Sequence, residues 1–179
     1  MPTDPRIDGY AAAILEVAKA EGDLARVGDE LFRIARAFES SPELREALTD
    51  PRLPIERKKA VVDDLLTGKT STLAVNLVNF VVGVGMSSDL PAIADRLAER
   101  AAAERNKVIA EVRSAIELDD ATVARLSESL SRATGKDVEV KTVVDPAVVG
   151  GIVARVGDTV IDGSLSHRMQ ELRETLTRR

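Results

Sequence analysis

The stretch Val144-Asp145-Pro146-Ala147-Val148-Val149-Gly150-Gly151-Ile152-Val153-Ala154-Arg155-Val156-Gly157-Asp158-Thr159-Val160-Ile161-Asp162-Gly163-Ser164 decides how the second half of this chain folds. Pro146 fixes φ and offers no backbone donor, and the adjacent Gly150 and Gly151 accept a positive φ or a close backbone approach that a Cβ would block. The chain must bend there. Beyond the bend, Ile152, Ala154 and Val156 alternate with Val153 and Arg155. Gly157-Asp158 then separates that run from Thr159-Val160-Ile161, the spacing of a tight β-hairpin. Asp162-Gly163 ends the second strand. A dinucleotide-binding loop is excluded, because the spacing is not G-x-G-x-x-G and a strand follows the glycines rather than a helix.

Upstream of the bend the apolar period changes near Asn106 from helical to alternating. Val108, Ala110, Val112 and Ser114 alternate with Ile109, Glu111, Arg113 and Ala115, which predicts a strand and places a domain boundary between residues 105 and 106. Asp119-Asp120 caps a helix carrying Val123, Leu126 and Leu130. Gly135 stops it before a strand through Val138, Val140, Thr142 and Val144. After the hairpin, Ser164 or Ser166 opens a last helix with Leu165, Met169, Leu172 and Leu176 on one side. Residues 106–179 are thus expected to form a small β-sheet with two helices.

Residues 1–105 read as helices throughout. Ile7, Tyr10, Ala11, Ile14, Leu15 and Ala18 fall at helical spacing, with Gly22-Asp23 as stop and new cap. Leu24, Val27, Leu31, Ile34, Ala35 and Phe38 line a second helix, leaving Asp29, Glu30, Arg33 and Arg36 to solvent. Ser41-Pro42 opens a short third helix that Asp50-Pro51 ends. Pro54 starts a fourth, with Val61, Val62, Leu65 and Leu66 inside and the charged run Glu56 to Lys59 on a solvated face. Leu73 to Val84 is apolar nearly all round and marks the most buried helix. Ser88-Asp89 begins the sixth, with Leu90, Ile93, Leu97 and Ala101 inward and Asp95, Arg96, Glu99, Arg100 and Glu104 outward. The fold class is therefore mainly α with an α+β second domain: an N-terminal six-helix bundle, then the small sheet domain.

Composition removes whole classes of chemistry. The 179 residues are 44% hydrophobic but only 2% aromatic, so the core rests on Ala, Leu, Val and Ile, which suits close helix packing. No Cys is present, which removes disulfides, thiol nucleophiles and thiolate metal sites. A single His leaves little for a metal or a general base, and neither metal nor cofactor is expected. The net charge of −5 opposes the cationic groove that nucleic acid requires. No apolar run reaches the ~20 residues of a spanning helix, and Met1-Pro2-Thr3-Asp4 does not open a signal peptide, so the chain is expected to be soluble.

No catalytic constellation emerges either. Gly68-Lys69-Thr70 lacks the earlier Gly of a phosphate loop, where Asp63 stands, and it follows a helix rather than a strand. His167 lies three residues after Ser164 with Asp162 nearby, but a triad draws its members from separate segments. Asp63-Asp64 and Asp119-Asp120 are explained by capping and solvation. From the residues alone the chain is a two-domain interaction protein with no catalytic residues.

The run from Asp145 through Val148-Val149, Gly150-Gly151, Gly157-Asp158 and Val160-Ile161-Asp162-Gly163-Ser164 resembles the C-terminal signature of the delta subunit of F-type ATP synthase, the oligomycin-sensitivity-conferring protein of mitochondria. The likeness extends to Tyr10-Ala11 with Ile14 to Ala18, to Asp50-Pro51 with Pro54, and to Leu77-Val78-Asn79-Phe80. Ala12 stands where the family commonly has Lys.

The resemblance implies a non-catalytic stator subunit on the cytoplasmic face of the membrane. In this family the N-terminal bundle (here residues 1–105) sits on the catalytic head and holds the N-terminal helix of an α subunit in a groove between the first and fifth helices. Residues 106–179 would engage the C-terminal ends of the b subunits. On that basis Tyr10, Ile14, Val17, Val75, Asn79 and Val82 are the expected groove residues. Asp145, Gly150, Gly151, Gly157, Asp158, Asp162 and Gly163 are expected to shape the signature turn. A regulatory adaptor outside the rotary enzyme is the alternative, and an enzyme with an unrecognised site the third reading.

Overall fold

A computed structural model describes residues 4–157 and 159–163; Asp158 and the expected last helix, with His167, lie outside the described residues. The described residues are mostly helical, with seven α-helices and one four-stranded sheet. Packing divides the chain between Ala101 and Ala102 into two compact units.

The first unit begins with α1 (Pro5–Ala20), whose first turn is fixed by Pro5 and by the Asp4 side chain, which accepts from Arg6 N. Its inner stripe is Ala11, Ile14, Leu15 and Ala18, all buried. After a turn at Gly22 (φ +72°) comes α2 (Leu24–Ser40), which buries Val27, Leu31, Ile34, Ala35 and Phe38. Then follow α3 (Pro42–Thr49), capped by Ser41 Oγ on Leu44 N, and α4 (Ile55–Leu66). In α5 (Thr72–Gly83) the cap is Ser71 Oγ, which accepts from Ala74 N at 3.1 Å. A 3-10 turn over Ser87–Asp89, where a side-chain cap was expected, leads into α6 (Leu90–Ala103).

The largest fully buried side chains of this unit are Ile14, Val27, Val78, Val81, Val82, Ile93 and Leu97. Aliphatic and small side chains thus do the work that aromatics often do, and the core is correspondingly intolerant of lost volume. Truncating Leu97 to Ala would cost about 2–5 kcal/mol.

Two charged groups of α2 depart from the solvent-facing expectation. Glu30 is buried, and its Oε2 accepts from Ser71 N at 3.0 Å and Ser71 Oγ at 2.5 Å. The side chain of Arg36 is nearly enclosed, its guanidinium 4.9 Å from the centre of the Phe32 ring and ion-paired to Glu39 and Asp95. Both burials are tolerable because each charge meets opposite charge or strong donors.

Between α6 and the next strand, Asn106 takes φ +56°, a left-handed conformation that Asn tolerates better than most residues. The second unit's sheet has the order β2-β1-β3-β4. Here β1 (Val108–Ser114) and β2 (Val138–Val144) are parallel and joined through α7 (Asp120–Thr134). β3 (Ile152–Val156) runs antiparallel to β1 on its other side and pairs with β4 (Thr159–Asp162) as the hairpin. Asp119 Oδ1 accepts from Thr122 N at 2.6 Å to cap α7, and Gly135 at φ +68° ends it. Ala110, Val112, Val138, Ala154, Val156 and Leu130 form a separate small core.

Candidate interaction surfaces

Three of the six expected groove residues belong to the core instead. Ile14 and Val82 are fully enclosed and Val75 is buried, because a helix surrounded by others turns its densest apolar stripe inward. Asn79 faces α4, where its Nδ2 donates to Asp63 Oδ1 at 2.7 Å. Tyr10 and Val17 are the members that reach the surface: Tyr10 is half-buried and Val17 is 43% exposed.

Beside them the structure brings two residues that the sequence reading did not select. The Phe80 ring lies 5.8 Å from that of Tyr10 at an interplanar angle of 55°, the tilted arrangement aromatic pairs prefer. Phe80 is 46% exposed and Val84 43%. Phe32 and Phe38 are both buried, so Phe80 is the one Phe in the chain left partly open to solvent. The apolar residues open to solvent on α1 and on α5 with its C-cap are therefore Tyr10 and Val17, both in the expected set, and Phe80 and Val84, which are not. The available signal was that Leu73 to Val84 is apolar nearly all round, so part of it had to face outward.

Hydrogen bonds and charge fix the helices that carry this surface. Asp8 on α1 accepts from Arg96 Nε at 2.6 Å and from Arg100 Nη2 at 2.5 Å on α6. These bonds, Arg96 first, hold the Asp8 carboxyl below its usual range, and the Arg96 guanidinium is raised in return. At the other end of the unit, burial pushes the Glu30 carboxyl up, but the Ser71 bonds and the Arg26 guanidinium outweigh it and the net direction is down. At Gly83 an added Cβ would lie 3.1 Å from Lys59 Cε and 3.2 Å from its Nζ, so the lysine stem packs on bare backbone at the end of α5.

The signature turn is conformational in every part that is described. Asp145 donates its N–H to Ser114 O at 2.8 Å, accepts from Ala147 N at 2.9 Å, and accepts from Arg113 Nη1 at 3.3 Å. One side chain thus shapes the turn and ties it to β1. Gly150 and Gly151 take φ +63° and +80°, and Gly157 takes +57°. Asp162 pairs with Val153 in the ladder. Gly163 N donates to Ile152 O at 2.9 Å, an approach that a Cβ would crowd at 3.3 Å. Among the described residues no three His, Cys, Asp or Glu converge as metal ligands, and no described helix is long and apolar enough to cross a membrane.

Fold and surface together define a two-unit protein, a helical unit with apolar side chains left open to solvent and a small mixed sheet bent by a glycine-rich signature. The chain belongs to the family described as the ATP synthase delta (OSCP) subunit, whose sequence model matches residues 7–176. It is 40% identical over 164 residues to the ATP synthase subunit delta of Nocardia farcinica, covering 92% of this chain and 61% of that one. Toward the subunit delta of Desulforudis audaxviator the identity is 34% over 167 residues, covering 93% and 92%.

Compared with several of the relatives it matches, such as those of Frankia alni and Nocardia farcinica, the chain spans about 60% of their length. A chain of the Toxoplasma gondii mitochondrial ATP synthase hexamer shares the fold with a TM-score of 0.56 at 22% identity, over 96% of this chain and 97% of that one. A chain of the Polytomella F-ATP synthase (F1 head and rotor) aligns with a TM-score of 0.51 at 25% identity, over 55% and 88%.

Proposed function

We propose that this chain is a peripheral-stalk subunit of an F-type ATP synthase, linking the catalytic head to the stalk so that the head does not turn with the rotor. The observation that carries the reading is the exposed Phe80 ring beside Tyr10, with Val17 on α1 and Val84 at the end of α5 also open to solvent, on the unit of a family member. The first unit acts as a six-helix bundle that receives the amphipathic N-terminal helix of an α subunit along α1 and α5. The second unit holds the C-terminal ends of the b subunits, and the complex lies on the cytoplasmic face of the membrane.

Grip rather than reaction chemistry is the function. An amphipathic helix laid on an apolar surface binds through buried area, and within an assembly whose head and stalk are both attached the second attachment is intramolecular and raises the overall avidity. Covering an exposed Phe or Val contributes on the order of 1–2 kcal/mol each, enough for firm attachment when several act together. The subunit contributes no cofactor and no catalytic group; its output is resistance to co-rotation.

Calorimetric titration of the full chain with a peptide of the cognate α-subunit N-terminus tests the reading. One-to-one binding is expected, weakened at least about tenfold by Phe80→Ser or Val17→Asp with the melting temperature retained. Substitution of Ile14 is unsuitable, because that side chain is in the core. Unchanged affinity in both variants would remove this surface as the head attachment.

A further inference from the structure

Behind α3 the helical unit is not filled. The centre of a water-sized sphere has about 30 Å³ to move in there, where a single water needs about 10–15 Å³. Ile34 and Phe38 of α2, Leu48 of α3, Val62 of α4, Val78 of α5 and Leu90 at the start of α6 form the inner wall, all of them buried. Leu44, Leu65 and Leu66 close the outer side, and there the cavity meets solvent: Leu65 is 42% exposed and the other two are half-buried.

The gap has a cause in the sequence. Ser41-Pro42 at one end and Asp50-Pro51 at the other hold α3 to 8 residues, so its share of the wall is one i, i+4 pair, Leu44 and Leu48. Phe38 is the one aromatic ring among the lining residues, and aliphatic side chains held in staggered rotamers leave the remaining space open. Every lining residue is apolar. A water there would lack the roughly two to four hydrogen-bond partners it needs, so the cavity stays dry.

A dry cavity with one open side selects its ligand by shape and by transfer out of water, not by hydrogen bonds or charge. We propose that it is a binding site for the apolar end of a small ligand, an alkyl group of about three or four carbons, with any polar head left in water beside Leu65. A polar or charged group cannot enter, because no lining residue could pair with it. Nor can a drug-sized molecule, whose pockets run to roughly 300–1,000 Å³. Tyr10, Val17, Phe80 and Val84 do not line the cavity, so the site is separate from the proposed head attachment and does not rest on it.

The test titrates the full chain with straight-chain alcohols from ethanol to hexanol, at concentrations that leave its circular dichroism unchanged, and follows side-chain methyl signals by NMR. Affinity is expected to rise about fourfold per added methylene up to about butanol, and by less than about twofold per methylene beyond it, once the cavity is full. The methyl groups of Leu48, Val62 and Val78 should shift along one saturable curve while those of Val17 and Val84 stay still. Butanediol with a hydroxyl at each end would bring a polar group to the inner wall and is expected to bind at least about tenfold more weakly than butanol. Val62→Ile combined with Val78→Ile fills the space from within and should weaken butanol binding at least about tenfold, with the melting temperature lowered by no more than about 5 °C. Shifts that stay linear in concentration, or that appear equally at Val17 and Val84, would reveal a packing void only and overturn the proposal. So would equal binding of the diol, or full butanol affinity in a folded Val62/Val78 variant. Should that variant fail to fold, the methyl shifts and the alcohol series on the unsubstituted chain decide the matter by themselves.

Discussion

Removing the Glu30 carboxylate would test whether α2 anchors the start of α5, the helix that carries Phe80. Its Oε2 accepts from Ser71 N at 3.0 Å and Ser71 Oγ at 2.5 Å, while Oε1 accepts from Arg26 Nε at 3.1 Å. Arg26 is 61% exposed, so its pair adds little and the two Ser71 bonds carry the effect. A hydrogen bond to a charged group contributes about 1.5–3 kcal/mol, and two bonds sharing one oxygen are not additive. Glu30→Ala is therefore expected to cost about 3 kcal/mol, a drop in melting temperature on the order of 15 °C for a unit of this size. Glu30→Gln retains an acceptor oxygen for Ser71 and is expected to cost about 1 kcal/mol.

Melting followed by circular dichroism gives the size of the effect, and amide exchange at Ala74 and Val75 shows whether the first turn of α5 is what loosens. A Glu30→Ala protein that melts within about 2 °C of its parent, with those amides still protected, would refute the argument. So would a coupling below about 0.5 kcal/mol in a double-mutant cycle with Ser71→Ala.

Further outcomes follow from the same geometry. Phe80→Ala should change stability by less than about 1 kcal/mol, since nearly half of the side chain is already in water, whereas Leu97→Ala should cost about 3 kcal/mol; chemical denaturation of the two variants compares them. Gly151→Ala forces a Cβ into φ +80° and should cost about 1–2 kcal/mol, read as faster amide exchange in β3. The carboxyls of Asp8 and Glu30 are both held below their usual range, so their stabilisation is complete above about pH 4–5 and is lost as pH falls through the lowered folded values. An acid titration of the melting temperature should therefore stay flat near neutrality and fall below about pH 4, and the Asp8→Asn variant should show a shallower fall.

Much of this architecture could be read from residue spacing, because spacing reports which face of a segment is apolar. The stripes of α1, α2 and α6, the Asp119 cap, the Gly135 stop, the β1 alternation and the hairpin all have a local cause. What spacing cannot report is which neighbour covers a face. α5 is apolar nearly all round, so periodicity could not separate enclosed Val82 from half-open Phe80. Glu30 was assigned to solvent by its charge; its partner Ser71 lies 41 residues away, beyond any local pattern. The parallel pairing of β1 with β2, and the antiparallel pairing of β1 with β3, likewise depend on which strands meet. Of the signature residues, Asp145 shows most clearly what its motif is for, because one carboxylate serves the turn and Arg113 together.

The position of β1 has a mechanical consequence. The strand emerges directly after α6, lies between β2 and β3, and is hydrogen-bonded to β2 along its whole length and to β3 along most of it. A pull applied to the strand's leading end along its own axis would load those ladders in shear, many bonds at once, instead of peeling them one after another. The opposite arrangement, with the incoming chain feeding an edge strand such as β4, would let the sheet unzip from one end under a much smaller force. The strand that follows α6 in the chain is thus the one best placed to share an axial load between two neighbours.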